Sequence, residues 1–501
     1  MHVDDAAPSA LPGTATAAPG HSRQEPGWVQ HAIAWHVYPL GAVGAEPLCP
    51  PGDPQDPDSP AGLVADEHRL ARLVPWLDHL ITLGANVLLL GPVFHSMSHG
   101  YDTVDYYHVD PRLGTNEDLK ALIDQAHARG IRVVLDGVFN HTGIEHPSFA
   151  GLAQSGPRSP EAGMYRLSWP EGSWAPGAAP SDYARFEGQE WLPELDHTSP
   201  DVVEMVSEVM EHWCALGVDG WRLDAAYAVP PAFWTQVLPR LRSRFPEVYV
   251  FGEVIHGDYA QVVTDSGMDS VTQYELWQAV WHGLAEENFY ELDWCLGRHA
   301  HLLPVFVPVT FLGNHDTTRI ASALGCRPGG ARRLAHAVAL LMTLPGTPVI
   351  YYGDEEGLEG IKEERLGGDD AVRPALPAEP WSRQPALPTG QRPGAEVEDL
   401  YRQLIALRRR LPWLHDAEVT TVHLDNRLLS LRLAPRAKEP GGQDAGTSPT
   451  SVVLALSLEE HEAWLPTRGA HTVLATDRQA PAPRAERDGV VLPPCGWAVL
   501  G

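Results

Sequence analysis

The sequence predicts an α/β chain organised as a (β/α)8 TIM barrel, with an excursion domain after strand three and a C-terminal antiparallel β-sandwich domain. Three observations carry this. From residue 32 onward short apolar runs alternate with amphipathic helical stretches. Polar residues fall at the carboxyl ends of many of these runs, as on a barrel rim, rather than at the single crevice of a doubly wound sheet. After about residue 414 the helical period yields to the alternation of antiparallel strands.

The strand runs are AIAWHVYPL (32–40), ANVLLLGPV (85–93), IRVVLDGVF (131–139), GVDGWRLD (217–224), EVYVFGEV (247–254), VFVPVTFLG (305–313) and TPVIYYG (347–353), with DSVTQYEL (269–276) a weaker sixth in chain order. Helical stretches lie between them, with Asp66 and Asn116 as candidate N-caps and Gly84, Gly130 and Gly217 as C-cap glycines. About 55 residues separate the third strand from the helix near 199, where 2–6 is usual. A structureless loop of that length is disfavoured, so a small excursion domain is expected over the barrel mouth. Its Trp169, Trp174 and Trp191 fit core packing at least as well as sugar stacking. APRAKEPGGQDAGTSPT (434–450) reads as a flexible hairpin loop in the C-terminal domain. The expected division is a disordered tail over 1–26, the barrel over 27–141 and 198–414, the excursion domain over 142–197, and the β domain over 415–501.

The 501 residues carry a formal charge of −29, which disfavours nucleic acid and anionic membranes as partners and leaves neutral substrates unaffected. The cysteines (Cys49, Cys214, Cys295, Cys326, Cys495) are scattered, without zinc-ligand spacing. They suit a reduced, cytoplasmic chain. No signal-peptide pattern opens the sequence and no apolar run approaches the roughly 20 residues of a membrane span.

In GWRLDAAY (220–227), Arg222 and Asp224 share one face of a strand end. Buried charges at such a place need partners or a function. Asp136, Asn140 and His141 end strand three, Glu253 ends strand five, and His315 and Asp316 end strand seven. Acids converging on one rim repel, which drives their proton affinities apart. That suits a two-carboxylate glycosidase, with one acid ionised and one protonated. On this reading Arg222 keeps Asp224 ionised as nucleophile, and Glu253 is the acid/base. Asp316 holds sugar hydroxyls, while His141 and His315 donate to them.

DGVFNH (136–141), GWRLD (220–224), GEV (252–254) and LGNHD (312–316) stand in order, and in this the chain resembles the alpha-amylase family of retaining glycoside hydrolases. The resemblance runs from about residue 30 to the end. It implies nucleophile Asp224, acid/base Glu253 and transition-state stabiliser Asp316, with Arg222, His141 and His315 in the −1 subsite. HGYDTVDYYHVDP (99–111) matches the segment after strand two, where Tyr101 would stack on the −1 sugar. LPELD (192–196) resembles the excursion-domain motif, and LPGTPVIYYGDEEG (344–357) the eighth strand. Asp369 and Arg373 resemble a segment that touches the −2 sugar; a surface salt bridge is the equal alternative. Asn140 contributes to a structural calcium site in many amylases. Its companion ligands have no counterpart in the motifs, so no metal or cofactor is assigned.

Tyr227 and Ala228 stand where many endo-acting amylases place a Lys-His pair, and Ser98 where exo-acting glucosidases often place Asp. GWRLD and GEVIH look most like the cyclomaltodextrinase, neopullulanase and maltogenic amylase branch, whose usual N-terminal β domain would not fit in residues 1–31. The expectation is a hydrolase of short maltooligosaccharides or related α-glucans, with linkage, chain length and oligomeric state open. A transglycosylase using the same intermediate is the first alternative, and a non-catalytic glucan-binding relative the second.

Overall fold

The computed structural model describes residues 25–170, 174–325, 330–365, 367–381, 394–436 and 449–501. Nearly all of the expected tail, Cys326 and most of the 434–450 loop lie outside them.

Eight parallel strands form the barrel sheet: β1 (Ala34–Val37), β2 (Val87–Leu90), β3 (Arg132–Gly137), β4 (Gly220–Leu223), β5 (Tyr249–Gly252), β6 (Ser270–Val271), β7 (Val309–Phe311) and β8 (Thr347–Tyr351). They pair in the order β6-β5-β4-β3-β2-β1-β8-β7. A parallel bridge between Thr272 and Val309 joins the two outer strands and brings the sheet round on itself. The weak sixth run is a strand of two residues because side chains extend its pairing. Asp269 accepts from the Val250 amide at 2.8 Å, and Thr272 Oγ1 from the Val254 amide at 2.9 Å.

The strand period of two sorts side chains into two faces. Ala34, Val87, Leu89, Val134, Tyr249, Phe251 and Val349 form one apolar cluster inside the barrel. Trp35, Leu88, Leu90, Leu135, Trp221 and Leu223 belong to the larger cluster shared with the helices. Continuing the inward face to the carboxyl ends reaches His36, Asp136, Arg222 and Glu253 in turn. The interior is therefore apolar below and polar at the rim, which is how the sequence pattern becomes a site.

The principal helices are α1 (Val74–Leu83), α2 (Asn116–His127), α3 (Pro200–Ala215), α4 (Pro231–Arg244), α5 (Tyr259–Ser266), α6 (Tyr274–Ala285), α7 (Tyr290–Leu302), α8 (Gly330–Thr343) and α9 (Ala395–Arg410). Gly84 ends α1 at φ +97°, and a Cβ there would stand 2.7 Å from Ile405 on α9. Both the left-handed turn and the close approach require glycine. The two expected N-caps are displaced. Thr115 caps α2 in a capping box with Asp118, which makes Asn116 the first helical residue. Asp66 instead follows the last turn of the short helix Pro60–Ala65. A hydroxyl one residue earlier can pair reciprocally with an acid at N3, and that outweighs the single cap Asn116 offers.

Arg408 on α9 is buried and donates to the carbonyls of Met342, Leu344 and Gly346 at 3.0, 2.9 and 2.5 Å, capping the end of α8. Burial, and then neighbouring Arg409, pull its pKa down to about 9. Arg408→Leu strands these buried acceptors. It is expected to cost about 2–4 kcal/mol in urea unfolding, with the kcat of the folded fraction unchanged.

Tyr101 lies between the strands of a hairpin, Phe94–Ser96 with Thr103–Val109, that follows β2. Between β3 and α3 the chain forms short helices and a small ribbon, Leu167–Ser168 with Asp182–Tyr183. It returns through LPELD, where Leu195 donates to Asn140 O and Thr142 to Pro193 O, both at 3.1 Å, which ties the two ends of the insertion together. Of the three tryptophans weighed there, Trp169 packs on the main core and Trp174 donates to Ala178 O at 3.0 Å, while Trp191 is 45% exposed.

The C-terminal region holds β9 (Glu418–Leu424), β10 (Leu428–Ala434), β11 (Val452–Ser457), β12 (Ala463–Pro466), β13 (Val473–Thr476), β14 (Arg484–Ala485), β15 (Gly489–Leu492) and β16 (Trp497–Leu500). Sheet β9-β10-β11-β16-β13 and sheet β12-β15-β14 are separate. Ala455, Leu465, Val490, Leu492, Ala498 and Leu500 pack between them. The alternate residues Leu454, Leu456, Trp497 and Val499 join the core shared with the barrel helices, so the larger sheet is apolar on both faces.

Candidate active site

Register across the rim pairs Asp136 on β3 with Arg222 on β4, and Arg222 with Phe251 on β5. Arg222 is 4% exposed and meets three carboxylates: Asp136 at 2.5 Å, Glu253 at 2.7 Å and Asp224 at 3.3 Å. Glu253 Oε2 also accepts from the Ala225 amide at 3.2 Å, and Ala225 holds φ +45° immediately after Asp224. Turning the chain there lets the backbone reach the neighbouring carboxylate.

A second group joins this one through Tyr101, whose hydroxyl donates to Asp136 Oδ2 at 3.0 Å and lies 2.5 Å from His315 Nε2. With that proton given to Asp136, the imidazole is the donor to the hydroxyl. The same Nε2 stands 2.8 Å from Asp316 Oδ2. The Tyr101 and His315 rings stack, with centroids 5.1 Å apart. Arg373 donates to His315 O at 2.9 Å and Asp316 Oδ1 at 2.8 Å, and pairs with Asp369 at 3.0 Å. Arg373 is itself positioned from behind. Arg319 and the Tyr351 hydroxyl each donate to Val372 O at 3.0 Å, and Arg319 is anchored on Asp354 at 2.8 Å.

The nine residues given a catalytic or sugar-binding role from the sequence (Tyr101, His141, Arg222, Asp224, Glu253, His315, Asp316, Asp369 and Arg373) lie in one connected network. Three of their arrangements differ from expectation. His315 is fully buried and turns Nε2 to the Tyr101 hydroxyl and Asp316 rather than outward to a sugar. His141 does not offer its N–H outward: Nε2 donates to Tyr101 O at 2.9 Å, and Nδ1 lies 3.2 Å from Asn140 Nδ2. Burial pulls its pKa down to about 4, so this neutral ring holds the backbone of Tyr101. Arg222 does not favour Asp224 either. Of the three carboxylates Asp224 has the longest contact, and burial first, then the charge of Glu253, push its pKa well up despite the arginine. Burial likewise raises Asp136 against the pull of Arg222. For Asp316 burial acts upward, but His315 and Arg373 outweigh it and hold the carboxyl well below its usual range.

Sequence reasoning missed several participants. The Tyr274 hydroxyl donates to Glu253 Oε1 at 2.9 Å and accepts from Asn314 at 2.8 Å. Asn314 stands inside the LGNHD motif, whereas Tyr274 opens α6 with no signal of its own. Tyr38 stacks on His315 at 5.8 Å and carries Arg373 over its ring at 4.6 Å. Period two from His36 would have placed it inward. Among the described residues no group of three or more His, Cys, Asp or Glu could hold a metal ion. The Asn140 side-chain amide donates to His141 Nδ1, and its backbone carbonyl accepts from the Leu195 amide.

A parallel barrel with a pair of carboxylates gathered on its carboxyl-end rim fits a glycoside hydrolase. The family model of the alpha-amylase catalytic domain matches residues 70–386, and the chain belongs to the alpha-amylase family. It is 28% identical to a cyclomaltodextrinase of Geobacillus thermopakistaniensis (strain MAS1), over 95% of this chain and 78% of that protein. Neopullulanase 2 of Thermoactinomyces vulgaris is 29% identical over 80% of this chain; the chain spans 66% of that relative's length. Among solved structures, the cyclic alpha-maltosyl-(1→6)-maltose hydrolase of Arthrobacter globiformis, in complex with cyclic alpha-maltosyl-(1→6)-maltose, is similar at TM-score 0.72 and 25% identity, covering 95% of this chain and all (100%) of that one.

Proposed function

We propose that the chain hydrolyses α-glucosidic bonds of short maltooligosaccharides or related α-glucans with retention, through a glycosyl ester on Asp224. The observation that carries this reading is the gathering of Asp224 and Glu253 on the one guanidinium of Arg222. Asp224 attacks the anomeric carbon while Glu253 gives its proton to the leaving oxygen. Water then attacks that carbon, the ester bond breaks with its electron pair returning to Asp224, and the proton goes to Glu253. Burial makes the Asp224 anion costly before substrate arrives. The positive charge developing on the sugar ring supplies the missing counter-charge, so the interaction is strongest in the transition state. Asp316, firmly ionised beside Arg373 and His315, is placed to hold sugar hydroxyls, with Tyr101 at the −1 ring and Asp369 with Arg373 beyond it. In a substrate complex the two catalytic carboxyl groups should stand about 5–5.5 Å apart.

The domain division read from sequence, with the 142–197 insertion over the mouth, belongs to this reading. So does a cytoplasmic location: among the described residues Cys49, Cys214, Cys295 and Cys495 are free thiols, and no helix is long and apolar enough to cross a membrane.

The test is product chromatography of wild type and Glu253→Gln with maltose, maltotriose, β-cyclodextrin, pullulan, sucrose and trehalose. Shorter sugars from wild type, with a loss of about a hundredfold or more in Glu253→Gln, are expected. Longer or rearranged sugars would assign a transglycosylase. Binding of the glucans without turnover would leave a binding module and overturn the hydrolase.

A further inference from the structure

Phe186 and Glu187 belong to the insertion between β3 and α3, yet both reach catalytic elements. The Phe186 ring stacks on His141 with centroids 4.6 Å apart. Glu187 sits at φ +49°, a left-handed conformation uncommon for a residue with a side chain, and Gly188 follows at φ +76°. This turn carries the Glu187 carboxylate to the loop after β4, where the Tyr227 hydroxyl donates to Oε1 at 3.1 Å. The Tyr227 amide in turn donates to Glu253 O at 3.3 Å. One carboxylate of the insertion is therefore tied to a residue that is itself hydrogen-bonded to the backbone of the acid/base. Glu187 is exposed and Tyr227 half-buried, so the carboxylate is open to solvent with an aromatic ring beside it.

We infer that Glu187 is a specificity-determining residue on the leaving-group side, accepting hydrogen bonds from hydroxyls of the sugar that departs from, or attacks, the glycosyl enzyme. This rests on Glu253 being the acid/base. Tyr227 takes up Oε1 and orients the group, and the exposure of Glu187 leaves Oε2 for a sugar hydroxyl. Neutral polyols suit the position because a carboxylate accepts from hydroxyls in charge-assisted bonds, and because Tyr227 offers a ring face to the apolar side of a pyranose. In the second step an acceptor hydroxyl held here forms its bond to the anomeric carbon as the Asp224 ester breaks. The electron pair returns to Asp224 and the hydroxyl proton passes to Glu253. Water needs no such hold, so Glu187 favours sugar acceptors over water.

The experiment compares kcat/KM of wild type, Glu187→Ala, Glu187→Gln and Tyr227→Phe on maltotriose and on 4-nitrophenyl α-maltoside, whose aryl leaving group has no hydroxyl to offer Glu187. Glu187→Ala should lose about tenfold more on maltotriose than on the aryl substrate. Its transfer to added maltose should fall relative to hydrolysis. Tyr227→Phe should move both readouts in the same direction by less. Parallel losses on the two substrates, or none, would overturn the assignment while the hydrolase reading stands. A wild type that turns over neither substrate would overturn both.

Discussion

Asp224→Asn should lose hydrolysis of maltotriose by about ten-thousand-fold or more and melt at a higher temperature than wild type at pH 7. The amide cannot form the glycosyl ester, so the first chemical step has no nucleophile. The stability gain follows from the site's electrostatics. Burial, then Glu253, push the Asp224 pKa well above that of an ordinary aspartate. An acid that holds its proton more tightly when folded weakens the fold in its ionised form. That penalty is present above the raised folded pKa and is lost as pH falls through it. An uncharged Asn never carries it, so the gap in melting temperature should widen as pH rises and close toward acid pH. Calorimetry across that range decides the matter. A variant melting below wild type at pH 7 would show that Arg222 stabilises the Asp224 anion more than burial opposes it.

Arg222→Leu has the opposite expected effect on the fold. It leaves Asp136, Asp224 and Glu253 gathered in a buried site without the cation they share. Removing one partner of a buried pair costs about 3–5 kcal/mol, and activity should vanish with it. Arg222→Lys should recover only part of the loss, because one ammonium cannot meet three carboxylates as a planar fork does. Asp136 and Asp224 already have raised pKa values with Arg222 present, and losing its downward pull raises them further. The stability deficit of Arg222→Leu should therefore shrink as pH falls and these acids take up protons. Urea unfolding at pH 7 and pH 5 measures it. A deficit below about 1 kcal/mol, or one independent of pH, would mean that the three acids do not depend on the arginine.

Much of this arrangement was legible in the chain. Period two put Arg222 and Asp224 on one face of a strand end, and the motifs ending three other strands supplied Asp136, Glu253, His315 and Asp316. Tyr274 and Glu187 were not legible. Tyr274 opens a helix and Glu187 lies in the long insertion, and no local period says which strand end either will meet. The N-cap of α2 moved by one residue for a comparable reason: Asn116 and Thr115 are both good caps by type, and the reciprocal bond with Asp118 decides between them.

The sequence by itself determined the number and order of barrel strands, the sandwich that follows them, and the acids placed at the rim. These follow from hydrophobic periodicity and strand alternation, which act over a few residues and survive any detail of packing. Only the tertiary structure decided how charge is distributed among those acids. Arg222 lies closest to Asp136 and Glu253 rather than Asp224, His141 spends its N–H on the Tyr101 backbone, and Asp316 is the acid held most firmly ionised. Coulomb attraction and desolvation both change steeply over an ångström or two inside a protein. Such differences arise from the closure of the barrel and the burial it imposes, and no spacing along the chain encodes them.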